Sequence, residues 1–246
     1  MSAFKDGLFA GRSVFVAGGT SGINLGIAQR FAALGAKVGV VGRNPEKAAN
    51  AAASIGNGAI GLSADVRDYA AIRAAMEQVA AAHGAFDVVV SGAAGNFLAP
   101  ALGMSANAFR TVVDIDLNGT FNVFRAGQAV NAAPLQAHAC AAKAGINQLV
   151  RVLAMEWGPD VRVNGISPGP IENTEGMARL APDAASRAAY YERIPMRRWG
   201  EIDEIAEAAI FLSSPSAGYI TGTILDCDGG SQLGDASRQS LERGMA

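Results

Sequence analysis

Ala17-Gly18-Gly19-Thr20-Ser21-Gly22-Ile23-Asn24-Leu25-Gly26 is the stretch that decides the fold. It follows Ser13-Val14-Phe15-Val16, a short apolar strand, and precedes Ile27-Ala28-Gln29-Arg30-Phe31-Ala32-Ala33-Leu34-Gly35, a periodic helix stopped by glycine. A strand, a glycine turn and a helix N-terminus together make an anion site. Backbone N–H groups and the helix dipole point at a phosphate, and absent side chains let it come close. Glycines also mark ordinary turns; here the flanking strand and helix point to dinucleotide binding.

The next strand, Lys37-Val38-Gly39-Val40-Val41-Gly42, supports that reading. A chain selective for NAD(H) usually ends this strand with Asp or Glu, which accepts from the ribose 2′-hydroxyl. This strand runs instead into Gly42-Arg43-Asn44. Arg43 could pair with a 2′-phosphate, or could be a solvated surface side chain. The missing carboxylate favours NADP(H).

The 246 residues suit one α/β domain, and half of them are hydrophobic, enough for a core. A net charge of −2 gives no basic footprint for nucleic acid. No apolar run reaches the length of a membrane span, and the first residues lack the apolar core of a signal peptide. Cys140 and Cys227 are too few for a disulfide framework, and His83 and His138 are the only histidines, so no metal site is expected. A cytoplasmic location is the expectation.

Strands and helices alternate. Further strands are read at 59–63, 86–91, 161–166 and 223–227. Helices are read at 68–82, at 105–125 with Ser105 as N-cap, from Leu135 to Trp157, and at 201–213. Ile146, Leu149, Val150, Leu153 and Trp157 share one helix face. The alternation predicts a single α/β domain over 1–246, a doubly wound Rossmann-type parallel sheet with ligands at the strands' C-terminal ends.

One interval breaks the pattern. Asp116 and Lys143 fall on two long helices, and parallel strands need a strand between such helices. Residues 126–137 offer no β-branched apolar run. Either the sheet lacks a central strand or residues are missing from the chain between 124 and 129. Deleting a central strand would expose its neighbours' backbone, so missing residues are expected there. Their mark would be a Cα separation well above the usual 3.8 Å.

The Gly18–Gly22 loop, Asp65-Val66, Gly92-Ala93-Ala94-Gly95, Lys143, Asn164, Pro168-Gly169 and Asp228-Gly229-Gly230 resemble, in their joint order, the short-chain dehydrogenase/reductase family over nearly the whole chain. The resemblance implies that Gly18, Thr20, Ser21, Gly22 and Ile23 hold the pyrophosphate. It places Asp65 and Val66 beside the adenine and Ser91 to Ala93 along its ribose. Lys143 would hold the nicotinamide ribose, and Pro168, Gly169 and Ile171 would border the nicotinamide.

The departures from the family are specific. The usual third loop glycine is Asn24, expected there because Asn tolerates unusual backbone angles. The family's catalytic tyrosine position, four before Lys143, is Ala139, and no tyrosine lies between Tyr69 and Tyr190. The customary Asn on the long helix is Asp116. These departures, with Asn96-Phe97-Leu98, Gln136-Ala137-His138-Ala139, Glu156-Trp157-Gly158-Pro159 and Thr174-Glu175-Gly176, are similar to the 2,4-dienoyl-CoA reductase branch, especially its peroxisomal type. The final residues, Arg243 to Ala246, show no peroxisomal address.

That resemblance implies an NADP-dependent oxidoreductase of fatty acid metabolism acting on an acyl-CoA. Asp116 and Lys143 would hold a water that replaces the tyrosine as proton source. Asn96 would donate to the thioester oxygen, and Phe97, His138 and Thr174 would lie near the substrate. Asp116 could alternatively be a helix-surface carboxylate, Asn96 a turn residue and His138 a packing residue. Residues 172–200 could be a substrate lid or a pair of subunit-contact helices. The resemblance also implies a homotetramer, with the apolar face of 143–157 and the strand near Ile224 as contact surfaces. Other readings are a different short-chain ketone or 3-oxoacyl reductase, or a catalytically silent NADP(H)-binding protein.

Overall fold

The computed structural model describes residues 4–95, 103–124 and 137–237. Strands β1 (Ser13–Ala17), β2 (Lys37–Gly42), β3 (Ile60–Ser63) and β4 (Val88–Ser91) form a parallel sheet in the order β3-β2-β1-β4. Helix α1 (Gly22–Ala33) links β1 to β2, α2 (Pro45–Ile55) links β2 to β3, and α3 (Tyr69–His83) links β3 to β4. Strands β5 (Gly165–Pro168) and β6 (Ile224–Cys227) pair with each other in parallel. The expected α/β Rossmann-type class is thus what the chain forms.

β1 is buried on both faces. Val14 and Val16 belong to one apolar cluster with Ile27, Phe31, Ile205 and Ile210, whereas Phe15 and Ala17 belong to another with Val41, Ile72 and Val79. A period of two thus feeds two cores, as a central parallel strand requires. Each such large side chain contributes about 1.5–3 kcal/mol on burial. Helix α9 (Ile202–Ser213) packs on α1 at Gly26, where an added Cβ would lie 2.1 Å from Ile202 Cγ2.

Several boundaries differ from the sequence reading. α1 begins at Gly22, so the end of the glycine turn is itself the first helical turn. α2 went unread, although Asn44-Pro45 signals it: the Asn44 side chain accepts from the Lys47 N–H at 2.9 Å and Pro45 opens the helix. The strand read at 161–166 is shifted to Gly165–Pro168. Side chains take the ladder's place before it: Val163 N–H donates to Thr221 Oγ1 at 3.0 Å, and Asn164 Nδ2 to the Ile220 carbonyl at 2.9 Å.

Ser105 does cap its helix, accepting from the Ala108 N–H at 3.1 Å. That helical run has three parts: α4 (Ala106–Val113), a π-helical turn (Asp114–Asn118) and α5 (Gly119–Phe124). Helix α6 (Ala137–Trp157) follows. Ile146, Val150 and Leu153 are buried against Val163, with Leu149, Trp157 and Ile224 packed alongside. The face of 143–157 expected between subunits is therefore spent within the chain, because β5 and β6 need cover. Outward-facing apolar residues are Val152 and Met155 on α6, Phe109 on α4 and Phe121 on α5.

Among the described residues no strand lies between β4 and β5, and β4 pairs with β1 alone. A cleft of about 980 Å³ fills that interval, lined by Val88, Val90, Gly92, Ile146, Val163 and Ile166. The chain break expected between 124 and 129 falls outside the described residues. No helix among the described residues is long and apolar enough to cross a membrane.

Candidate functional site

The glycine turn presses against the end of β4. Gly18 has φ +77°, and a Cβ there would sit 2.7 Å from the Ala93 nitrogen; one on Gly19 would lie 2.8 Å from Val40 Cγ1. Neither position has room for a side chain, and Gly18 has the left-handed backbone that glycine alone adopts freely. Ser21 caps α1 with extended backbone and no side-chain hydrogen bond, and the first turn carries no acid. The start of α1 therefore keeps its outward N–H donors for an anion. Thr20 packs over Gly42, where a Cβ would be 2.7 Å from Thr20 Cγ2. These residues and Ile23, which lines the cleft, fit a dinucleotide pyrophosphate.

Asn24 has a different reason for being there than expected. It lies inside α1 and not among the residues of positive φ. Its Nδ2 donates to the Gly92 carbonyl at 2.8 Å, tying the turn to the end of β4. A polar clamp has replaced the third glycine.

At the ends of β2 and β3, Arg43 is exposed and its carbonyl accepts from Ser63 Oγ at 3.0 Å. Asp65 is gripped by Arg67, from Nη2 at 2.6 Å and from Nε at 3.0 Å. That guanidinium holds the Asp65 carboxyl below the usual carboxylate range. Val66 is buried and its carbonyl accepts from Asn122 Nδ2 at 2.9 Å. Ser91 is buried at the end of β4, and its Oγ has no hydrogen-bond partner among the described residues.

The densest chemistry lies between the π turn and α6. Asp116 is 1 % exposed. Its Oδ1 accepts from the Gly95 N–H at 2.8 Å, and its Oδ2 lies 2.9 Å from Lys143 Nζ. The outward carboxylate on this turn is Asp114, which accepts from Asn118 Nδ2 at 2.8 Å. Asp116 is thus no surface acid. The π turn supplies the reason, since an extra residue per turn rotates Asp116 inward from where α-helical spacing puts it, and such turns recur at functional sites. Lys143 reaches the cleft with its side chain 26 % exposed.

Pro168 lines the same cleft at the end of β5. Gly169 abuts the chain at Asp228, whose Cα would lie 2.6 Å from an added Cβ. Ile171 is buried and bridges to Gly200. Thr174 spends its hydroxyl locally: Oγ1 donates to the Ile171 carbonyl at 2.8 Å and accepts from the Met177 N–H at 3.4 Å, capping α7 (Glu175–Leu180). Asn96 and Phe97 lie outside the described residues, as does the side chain of His138.

A further cluster escaped the sequence reading. Tyr191 on α8 (Ala184–Arg193) donates its hydroxyl to Glu172 Oε1 at 2.8 Å, which pushes the phenol pKa up. Arg187 stacks over Trp199 with its guanidinium carbon 4.9 Å from the ring centroid. Arg198 grips Glu204 at 2.6 and 2.8 Å, and this holds the Glu204 carboxyl down at about 2. Segment 172–200 is therefore tied back on itself near one end, by Glu172 and Tyr191, and to α9 at the other, by Arg198 and Glu204. The partners are 19 positions apart at one end, beyond any local periodicity that a sequence shows.

Comparison with known proteins agrees with this geometry. Residues 17–232 match the family described as enoyl-(acyl carrier protein) reductase. The chain is 41% identical to the rat protein named peroxisomal 2,4-dienoyl-CoA reductase [(3E)-enoyl-CoA-producing], covering 94% of this chain and 87% of the relative. It is 35% identical to the Bacillus subtilis protein named "Probable 2,4-dienoyl-CoA reductase [(2E)-enoyl-CoA-producing]", covering 90% and 97%. Among solved structures, a short-chain dehydrogenase from Bacillus anthracis superposes with a TM-score of 0.82 at 35% identity, over 91% of this chain and 97% of that one. The rat alignment spans 253 positions yet uses 94% of this 246-residue chain, so about twenty positions of the relative face no residue here.

Proposed function

The chain belongs to the short-chain dehydrogenase/reductase family, and from that premise we propose that it is an NADPH-dependent reductase of 2,4-dienoyl-CoA thioesters. The observation that carries the reading is the ion pair between buried Asp116 on the π turn and Lys143 on α6, 2.9 Å apart at the cleft, with Ala139 at the tyrosine position of α6. A ketone reductase needs a hydroxyl donor for the developing alkoxide. A conjugated thioester does not, because charge left by hydride addition spreads to the thioester oxygen and is quenched at carbon.

When bound, the cofactor supplies the hydride, to the far end of the diene. The resulting dienolate carries its charge on the thioester oxygen, where the Lys143 ammonium stabilises it. Asp116, with one oxygen on Gly95 and the other on Lys143, fixes that ammonium in place. A water held by Lys143 gives a proton to the α-carbon, and solvent replaces it through the same ammonium. The product is a 3-enoyl thioester, the outcome printed in the rat relative's name. Asn96 is the proposed donor to the thioester oxygen, with Phe97, His138 and Thr174 nearby. Residues 172–200 cover the acyl chain.

The test is NADPH oxidation on a panel of 2,4-dienoyl-CoA, 2-enoyl-CoA, 3-oxoacyl-CoA and simple ketone substrates, with chromatography of the products. Turnover confined to ketones would overturn the reading.

NADPH is assigned over NADH on Arg43, which stands at the end of β2 where a carboxylate would otherwise select NADH. Arg43→Ala is expected to weaken NADPH binding about tenfold, the size of one charge-assisted contact, and to leave NADH within about twofold. Equal losses measured by fluorescence titration would remove Arg43 from the site.

We further propose a homotetramer acting in the cytoplasm on fatty acyl-CoA. Phe109, Phe121, Val152 and Met155 supply an outward apolar surface, which light scattering at micromolar concentration would test. A second reading, a silent NADP(H)-binding protein, is favoured by β4 pairing with β1 alone among the described residues. Tight cofactor binding without turnover on the whole panel would establish it.

A further inference from the structure

We propose that Arg67 is a second recognition residue for the 2′-phosphate of NADP(H), acting beside Arg43. The proposal rests on the NADPH reading and adds a residue that neither the glycine turn nor the family pattern singles out.

The geometry begins with strand register. β2 and β3 run parallel with Gly42 opposite Ser63, so Arg43 and the Asp65-Val66-Arg67 turn emerge side by side at one end of the sheet. Ser63 Oγ, bonded to the Arg43 carbonyl at 3.0 Å, pins the two strand ends together. Both guanidinium groups act on the Asp65 carboxylate. Only Arg67 is bonded to it: main-chain N–H and Nε on Oδ1, both at 3.0 Å, and Nη2 on Oδ2 at 2.6 Å. Arg43 has no ion pair among the described residues. Arg43 and the Arg67–Asp65 pair thus stand side by side at the place where a phosphate ester would enter.

The fork on Asp65 has a consequence for binding. A free arginine loses rotamer entropy when it grips an anion. Arg67 is already oriented, yet its side chain is 43 % exposed, so part of its charge still faces solvent. A phosphate monoester carries between one and two negative charges near pH 7, more than Arg43 alone balances. An alternative role for Arg67 is to aim Asp65 at the adenine. Adenine is common to both cofactors, so that role would be blind to the 2′-phosphate.

Arg67→Gln and Arg67→Lys, each checked for an unchanged melting temperature, should be titrated calorimetrically with 2′,5′-ADP and with 5′-AMP. Arg67→Gln is expected to weaken 2′,5′-ADP about tenfold and 5′-AMP less than twofold, with Arg67→Lys keeping most of the 2′,5′-ADP affinity. Equal loss on both probes, or no loss on either, would overturn the role of Arg67. If the unsubstituted protein bound 2′,5′-ADP no more tightly than 5′-AMP, the NADPH reading would itself fall, a result visible before any variant is made.

Discussion

Lys143→Ala should lower turnover on a 2,4-dienoyl-CoA by about a thousandfold while leaving the melting temperature within a few degrees. The size follows from electrostatics. A unit cation about 4 Å from a developing anion is worth about 4 kcal/mol at an effective dielectric near 20, and each 1.36 kcal/mol is about tenfold in rate. Asp116→Asn is the informative companion. It keeps the volume and an acceptor for the Gly95 N–H, but takes the negative charge from Lys143. Its expected cost is about a hundredfold in kcat with little change in KM for NADPH, since Asp116 positions the ammonium and does not touch the cofactor. Single-turnover kinetics at saturating NADPH separates the two. If Asp116→Asn kept near-normal turnover, the water held by Lys143 could not be the proton source, and the assignment of this pair would fail.

The pair was legible in the sequence for a limited reason. Lys143 and Asp116 stand where the family pattern puts functional residues, but spacing alone left Asp116 on either side of its helix. The π turn from Asp114 to Asn118 decides the side, and no local rule announces such a turn. Asn24 teaches the reverse lesson. Its position was visible, and the physical reason first attached to it was mistaken, because its partner, the Gly92 carbonyl, is 68 residues away. The strands of the first half were readable because β1 and β2 are apolar runs buried on both faces and β4 is a half-buried apolar run. The start of β5 was not, because Thr221 and Asn164 side chains satisfy backbone and neighbours in a way that resembles a strand in sequence and is none. The Glu172–Tyr191 tie was invisible for the same cause as the Asn24 clamp: side chains far apart in sequence met only after the fold existed.

Inserting a strand should stabilise this chain. A segment of about twenty residues placed between Phe124 and Ala129, carrying four or five alternating β-branched apolar residues, is expected to raise the melting temperature by about 10 °C. The interval is the one where sequence periodicity asks for a strand and finds none, where β4 has a partner on one side only among the described residues, and where the cleft opens. The rat relative has about as many extra positions somewhere in its alignment to this chain. Each side chain buried against Val88, Val90, Ile146 or Ile166 is worth about 1.5–3 kcal/mol before the entropy of ordering the segment is subtracted. A net gain of about 3 kcal/mol suffices for the predicted shift in a domain of this size, at about 2–4 °C per kcal/mol. A Gly/Ser insert of equal length is the control and should lower the midpoint, since it adds loop entropy and buries nothing. Amide exchange of Val88 to Ser91 gives the local readout, slowing only in the strand insert. Equal midpoints for the two inserts would mean that the edge of β4 needs no further strand. Turnover measured on the same pair joins this question to the proposed function. If reduction of the dienoyl thioester arises only in the strand insert, the machinery at Asp116 and Lys143 is intact but unframed, and the chain as it stands is the silent cofactor-binding form. If the unaltered chain already turns over, the cleft beside β4 is compatible with catalysis, and the strand adds stability alone.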